Sequence, residues 1–175
     1  MNRHFARTAS ALIALAGVFT VAAAAQKADF TGTWKLNVAK SFLAAERPAP
    51  EYQLTKTFAM NGDQVITTNA AVNQVMVGFH LPDSKTTTTL IPDGKERESK
   101  GTPMFPGMPV PTVQVSAEWQ GGTLFVSEHG TSFGGVASNQ SRYFLSVDGS
   151  QLIELVEGHS VFGDTQQRLV FDKRP

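Results

Sequence analysis

The sequence predicts an all-β chain: one antiparallel up-and-down barrel of about nine to eleven strands, with one short helix after the first strand. Three observations carry this. Short β-prone runs follow one another from residue 30 to the end. The turns between them carry glycine, as in "MNGDQ", "IPDGKE", "WQGGT", "SVDGSQ" and "FGDT". No crossover helix separates the runs, so each strand returns beside its predecessor.

The chain has 175 residues and opens on Arg3 and Arg7, followed by the apolar run "ALIALAGVFTVAAAA" (11–25). A positive start, an apolar stretch shorter than the roughly 20 residues of a membrane-spanning helix, and small residues at Ala23 and Ala25 form the pattern of a secretory signal peptide. Cleavage is expected after Ala25. Residues 26–175 then form one domain, periplasmic or secreted, with no integral membrane anchor after processing. The chain has no cysteine, so packing and not disulfides must hold the fold. Fifteen basic residues balance fifteen acidic ones, and no block of like charge occurs. That excludes a nucleic-acid partner, which needs a basic stripe or patch.

Strands are expected near 31–37, 51–60, 63–71, 74–80, 85–91 and 95–100, with 74–91 readable as one bent strand around Pro82. "TVQVSAEW" (112–119) alternates cleanly, with Val113, Val115, Ala117 and Trp119 on one face. "TLFVSEH", "SRYFLSV", "QLIELVE" and "QRLVFDK" follow. Only 39–48 reads as helical, and Pro48 ends it. Closing so many strands into a barrel removes exposed sheet edges.

Three histidines lie beyond the leader: His80, His129 and His159. If 122–129, 138–146 and 151–159 form a meander, His129 and His159 share a rim, two strands and about 10 Å apart. The loops 101–111 ("GTPMFPGMPVP") and 130–138 open from that rim and carry Met104, Phe105, Met108 and Phe133. One reading makes them an apolar portal, since thioether side chains repack around varied ligands. A second makes His129, His159 and the methionines a soft-metal site. A third leaves the histidines as surface residues at strand ends. The inward wall is expected to include Val113, Val115, Phe125, Tyr143, Leu155 and Phe171. No nucleophile elbow or phosphate loop is present. Glu128 and Glu157 are the remaining candidates for acid–base work at the rim. The weight of these patterns falls on binding rather than catalysis, with no cofactor implied.

The stretch "FTGTWKLN" (30–37) resembles the start of lipocalin-like, calycin-type barrels, in which a Gly-x-Trp element leads into the first strand. It is similar also to exported bacterial proteins with an F-x-G-T-W-K-L-N start. Gly32 and Trp34 match that element. The resemblance implies that Trp34 plugs the closed end of the barrel beneath a late basic residue, Arg168 foremost, with Lys173 and Arg174 as alternatives. The Thr-Asp-Tyr signature of lipocalins and the Arg-x-Tyr carboxylate clamp of fatty-acid-binding proteins are both absent. The functional expectation is therefore a small hydrophobic or amphipathic, lipid-like molecule held in a barrel cavity. A filled barrel serving a structural or interaction role is the alternative.

Overall fold

The computed structural model describes residues 27–43, 52–76, 79–101, 108–132, 135–161 and 163–175. Strands β1 (Gly32–Leu36), β2 (Gln53–Asn61) and β3 (Gln64–Val72) are followed by a small separate pair, β4 (Val75–Met76) and β5 (Phe79–His80). Next come β6 (Ser84–Leu90), β7 (Arg97–Lys100), β8 (Thr112–Gln120), β9 (Thr123–Ser132), β10 (Gly135–Leu145), β11 (Gln151–Ser160) and β12 (Gly163–Arg174). Ten of these make one antiparallel sheet in the order β6-β3-β2-β1-β12-β11-β10-β9-β8-β7. The first strand pairs with the last, Trp34 opposite Lys173, which curls the sheet into a nearly closed barrel with its seam between β6 and β7. Ten strands is two more than the eight of a lipocalin, and the wider ring leaves more interior to fill.

The expected bent strand over 74–91 is instead two short pieces and a full strand. Asn73 takes a left-handed φ of 55° and its amide is held by the Asp83 carboxylate at 3.2 Å, which breaks the run. The expected helix over 39–48 begins as a single 3-10 turn, Val38–Lys40, and residues 44–48 lie outside the described part. Phe42 then forms an antiparallel bridge with Arg168, so this segment rejoins the edge of β12 just past the end of β1. It is fastened there by Ser41, whose hydroxyl accepts the Val170 amide at 2.9 Å. Val170 points outward yet is 1% exposed, because that segment covers it.

The core fills one end of the barrel. Trp34, Phe58, Val65, Leu124, Leu152 and Phe171 project inward, each at most 1% exposed. Phe30, just before β1, folds beneath them: its ring meets Phe58 edge-on at 5.7 Å, and its carbonyl accepts the Trp34 indole N–H at 2.8 Å. A buried indole thus keeps its one polar atom satisfied while contributing a large apolar surface. Lys173 lies over the Trp34 ring, Nζ 5.1 Å from its centre. The cation on the plug is therefore Lys173 and not Arg168. Arg168 faces outward on β12 and donates to the Lys40 carbonyl at 3.1 Å. Alternation decides this, since residues 169, 171 and 173 share the inner face and 168 does not.

Gly32 explains the first half of the Gly-x-Trp element. Its φ of +128° is a conformation that side-chain-bearing residues rarely adopt, and a Cβ there would lie 3.2 Å from Lys173 Cε. Gly32→Ala is expected to destabilise the fold by about 1–3 kcal/mol in urea unfolding. Far-UV circular dichroism of the folded state should stay unchanged.

Candidate functional site

The two halves of the interior differ in exposure. Toward the Trp34 end most inward side chains are buried, with Met60, Trp119 and Leu145 partly exposed at its margin. Toward the end bearing the 37–52, 101–111 and 132–135 connections, inward Tyr52, Leu54, Asn69, Glu128, Ser141, Val156 and Gln167 are only half-buried. Asn139 and Thr165, also inward by alternation, are exposed. These side chains face the interior at the end where solvent reaches it. Tyr52, Leu54, Val113 and Val156 give it an apolar wall packed on the core.

Its floor is charged. Lys56 on β2 and Glu154 on β11 are 6% and 3% exposed and form an ion pair, with Nζ 3.0 Å from Oε2. Nζ donates to Glu154 Oε1 at 3.2 Å and to the Tyr143 hydroxyl at 3.3 Å, and that hydroxyl donates to Oε1 at 2.7 Å. Glu154 Oε2 is close to the cation but accepts no hydrogen bond, and the buried Asn69 Oδ1 likewise has no donor. The ammonium also lies 5.2 Å from the Tyr143 ring centre and 5.8 Å from that of Phe171. Phe58 meets Tyr143 edge-on at 5.6 Å, so the charged layer stands directly on the aromatic floor. Burial first, and then the Glu154 charge, push the Tyr143 phenol well above its ordinary range; the same causes raise Tyr52. Burial also raises Glu128, the nearby Lys56 cation opposing it and the Glu154 carboxylate adding to it.

Local sequence places these groups. In "YQLTKTF", Tyr52, Leu54, Lys56 and Phe58 fall on one face of an alternating strand. In "QLIELVE", Leu152, Glu154 and Val156 do the same. Sequence reasoning missed Lys56 and Glu154. The signal was a charge standing in phase with buried apolar residues on each of two strands, with opposite signs. Asn69 and Tyr52 carried no such mark.

Of the sequence-predicted residues, Tyr143 joins this site, and Val113, Val115 and Phe171 face inward as expected. Phe125 and Leu155 do not, because they alternate with buried Leu124, Val126 and Glu154 and so point out. Phe125 lines a depression of about 470 Å3 on the outside of β8–β10, with Glu118, Ser127, Gln140 and Arg142. His129 and His159 do flank one residue, Ser138, at the expected separation of two strands. By the same alternation both point away from the lumen. His129 lies 3.8 Å from Glu96, and His159 contacts Asp164. Glu157 is outward too, paired with Arg142, whereas Glu128 is inward, so these four groups do not converge. Among the described residues no group of three or more histidine, aspartate or glutamate side chains is placed to hold a metal ion. Met108 is exposed at the edge of its loop. Met104, Phe105 and Phe133 lie outside the described residues.

Removing one member of the ion pair leaves the other buried alone. Lys56→Met should cost about 3–5 kcal/mol in chemical unfolding, and adding Glu154→Leu should recover most of it. Glu128 gives a pH signature. Its raised value means the folded state favours the neutral carboxyl, so its stabilising contribution is full below the ordinary value of 4.5 and is lost as pH rises through the folded one. Glu128→Gln should therefore match the parent's stability near about pH 4 and exceed it near about pH 7.

No protein-family model matches the sequence, and neither does any curated protein. Solved structures match in fold. A zebrafish ileal bile acid-binding protein complexed with cholic acid aligns at TM-score 0.53 and 17% identity, over 83% of this chain and 98% of that one. The Schistosoma mansoni fatty acid binding protein in complex with arachidonic acid aligns at 0.52 and 17%, over 83% and 96%. Secretory abundant heat soluble protein 4 from Ramazzottius varieornatus aligns at 0.54 and 11%, over 83% and 94%. What this chain shares with them is the fold, here a ten-stranded antiparallel barrel.

Proposed function

We propose that this chain is an exported binding protein that holds a small hydrophobic or amphipathic, lipid-like molecule non-covalently in its barrel. One observation carries the reading: inward Tyr52, Leu54, Glu128 and Val156 in the upper half of the barrel are half-buried and Asn139 and Thr165 exposed, while Phe58, Val65, Leu124, Leu152 and Phe171 beneath them are at most 1% exposed. That contrast describes a one-ended lumen with an apolar wall. The bile-acid and fatty-acid complexes among the fold's solved members support the choice of ligand class. The driving term is burial of the ligand's apolar surface, about 25 cal/mol per Å2. The leader pattern of residues 1–25 supports export, and N-terminal sequencing of protein from its own host should begin at Gln26.

The neutral probe N-phenyl-1-naphthylamine tests the lumen directly. Its fluorescence should rise on binding, and Val156→Trp, which fills the lumen, should weaken binding at least tenfold. Phe125→Ala, on the outer face, should leave it unchanged. Equal binding by Val156→Trp, or loss on Phe125→Ala alone, overturns the lumen as the site.

A further inference from the structure

The charged floor bears on which polar head the lumen accepts, a question that rests on the lumen being the binding site. Among the described residues the carboxylates facing it are Glu128 and Glu154, beside the Lys56 cation and the Tyr52 and Tyr143 phenols. One cation thus stands among two carboxylates. The cation is already engaged, with Nζ donating to Glu154 Oε1 and the Tyr143 hydroxyl. The other inward cations are committed elsewhere. Arg97 forks onto Asp93 through two 2.7 Å bonds, and Lys173 covers Trp34 at the closed end. Acceptors, by contrast, are in surplus. Glu154 Oε2 is held by the Lys56 ammonium at 3.0 Å without a hydrogen bond, and Asn69 Oδ1, at the position paired with Lys56, is buried without a donor. A buried acceptor without a donor is destabilising, and a ligand donor that reaches it relieves that cost.

A carboxylate head entering here meets two carboxylates and a cation with its strongest bonds already made. A hydroxyl or ammonium head meets acceptors that lack donors. We infer that the lumen selects amphiphiles whose polar head donates hydrogen bonds, a hydroxyl or an ammonium, and discriminates against carboxylate heads, with Glu154 and Glu128 as the receiving groups.

Displacement of N-phenyl-1-naphthylamine by 1-decanol, decylammonium and decanoate, each below its micelle concentration near neutral pH, separates the possibilities. Decanol and decylammonium should displace the probe at concentrations at least tenfold lower than decanoate. The Lys56→Met/Glu154→Leu double variant removes the floor charges without stranding either one, and combining it with Glu128→Gln should shrink the spread among the three heads to less than threefold. A shift of decylammonium relative to decanol on Glu128→Gln alone distinguishes an ammonium preference from a hydroxyl preference. Decanoate binding as tightly as the other two, or a spread that survives the triple variant, overturns the head-group assignment while leaving the lumen reading intact. Failure of all three heads, and of the probe, to bind the parent overturns the lumen reading and the assignment with it.

Discussion

The pairing of the first strand with the last governs the rest of this structure. With Trp34 set opposite Lys173, β1 and β12 join the two halves of the meander into a ring, and a ring of ten strands must fill or admit solvent to its centre. The chain resolves this unevenly. Phe30, Trp34, Phe58 and Phe171 fill one end, the indole N–H satisfied by the Phe30 carbonyl and the outer side covered by the Lys173 ammonium. Gly32 is needed because the chain reaches that end in a conformation, and at a distance from Lys173, that leaves little room for a Cβ. A short element thus sets the closed end and, by difference, the open one.

Above that floor the barrel places charge where packing alone would place leucine. A buried pair such as Lys56 and Glu154 gains Coulomb attraction but loses hydration, and an apolar replacement is often as stable. Its position therefore points to the lumen above it rather than to stability. The pair ties β2 to β11 across the interior, and Tyr143 from β10 completes the triangle. Aromatic rings of Tyr143 and Phe171 flank the ammonium, so the charged layer is continuous with the apolar floor. An amphiphile lying in such a lumen meets apolar wall along its chain and polar atoms at its head.

Much of the architecture was legible from residues alone. The hairpin glycines and the alternating runs located the strands of the main sheet to within a few residues, because a turn such as that at Gly121, φ 61°, demands a residue free to take positive φ. The plug role of Trp34 came from the resemblance of "FTGTWKLN" to calycin-type barrel starts, and the structure buries that indole at one end of the barrel. The site was far less legible. His129 and His159 were expected together and do flank Ser138, yet they face outward; proximity along a rim says nothing about which face a side chain takes until the strand's phase is known. Phe125 and Leu155 failed for the same reason, each being one residue out of phase with the buried set. The partner of Trp34 was mistaken among three late cations because only the β1–β12 register distinguishes them.

The sequence by itself determined what is local: where strands begin and turn, and that successive strands return antiparallel beside one another. Period-two alternation and turn chemistry operate over a few residues and need no distant partner. Tertiary structure decided what is non-local. Lys56 and Glu154 are 98 residues apart and became a pair only when β2 and β11 were set across one interior. The lumen belongs to no segment of the chain. It is the space left when ten strands of this register close around a floor of a few aromatic rings.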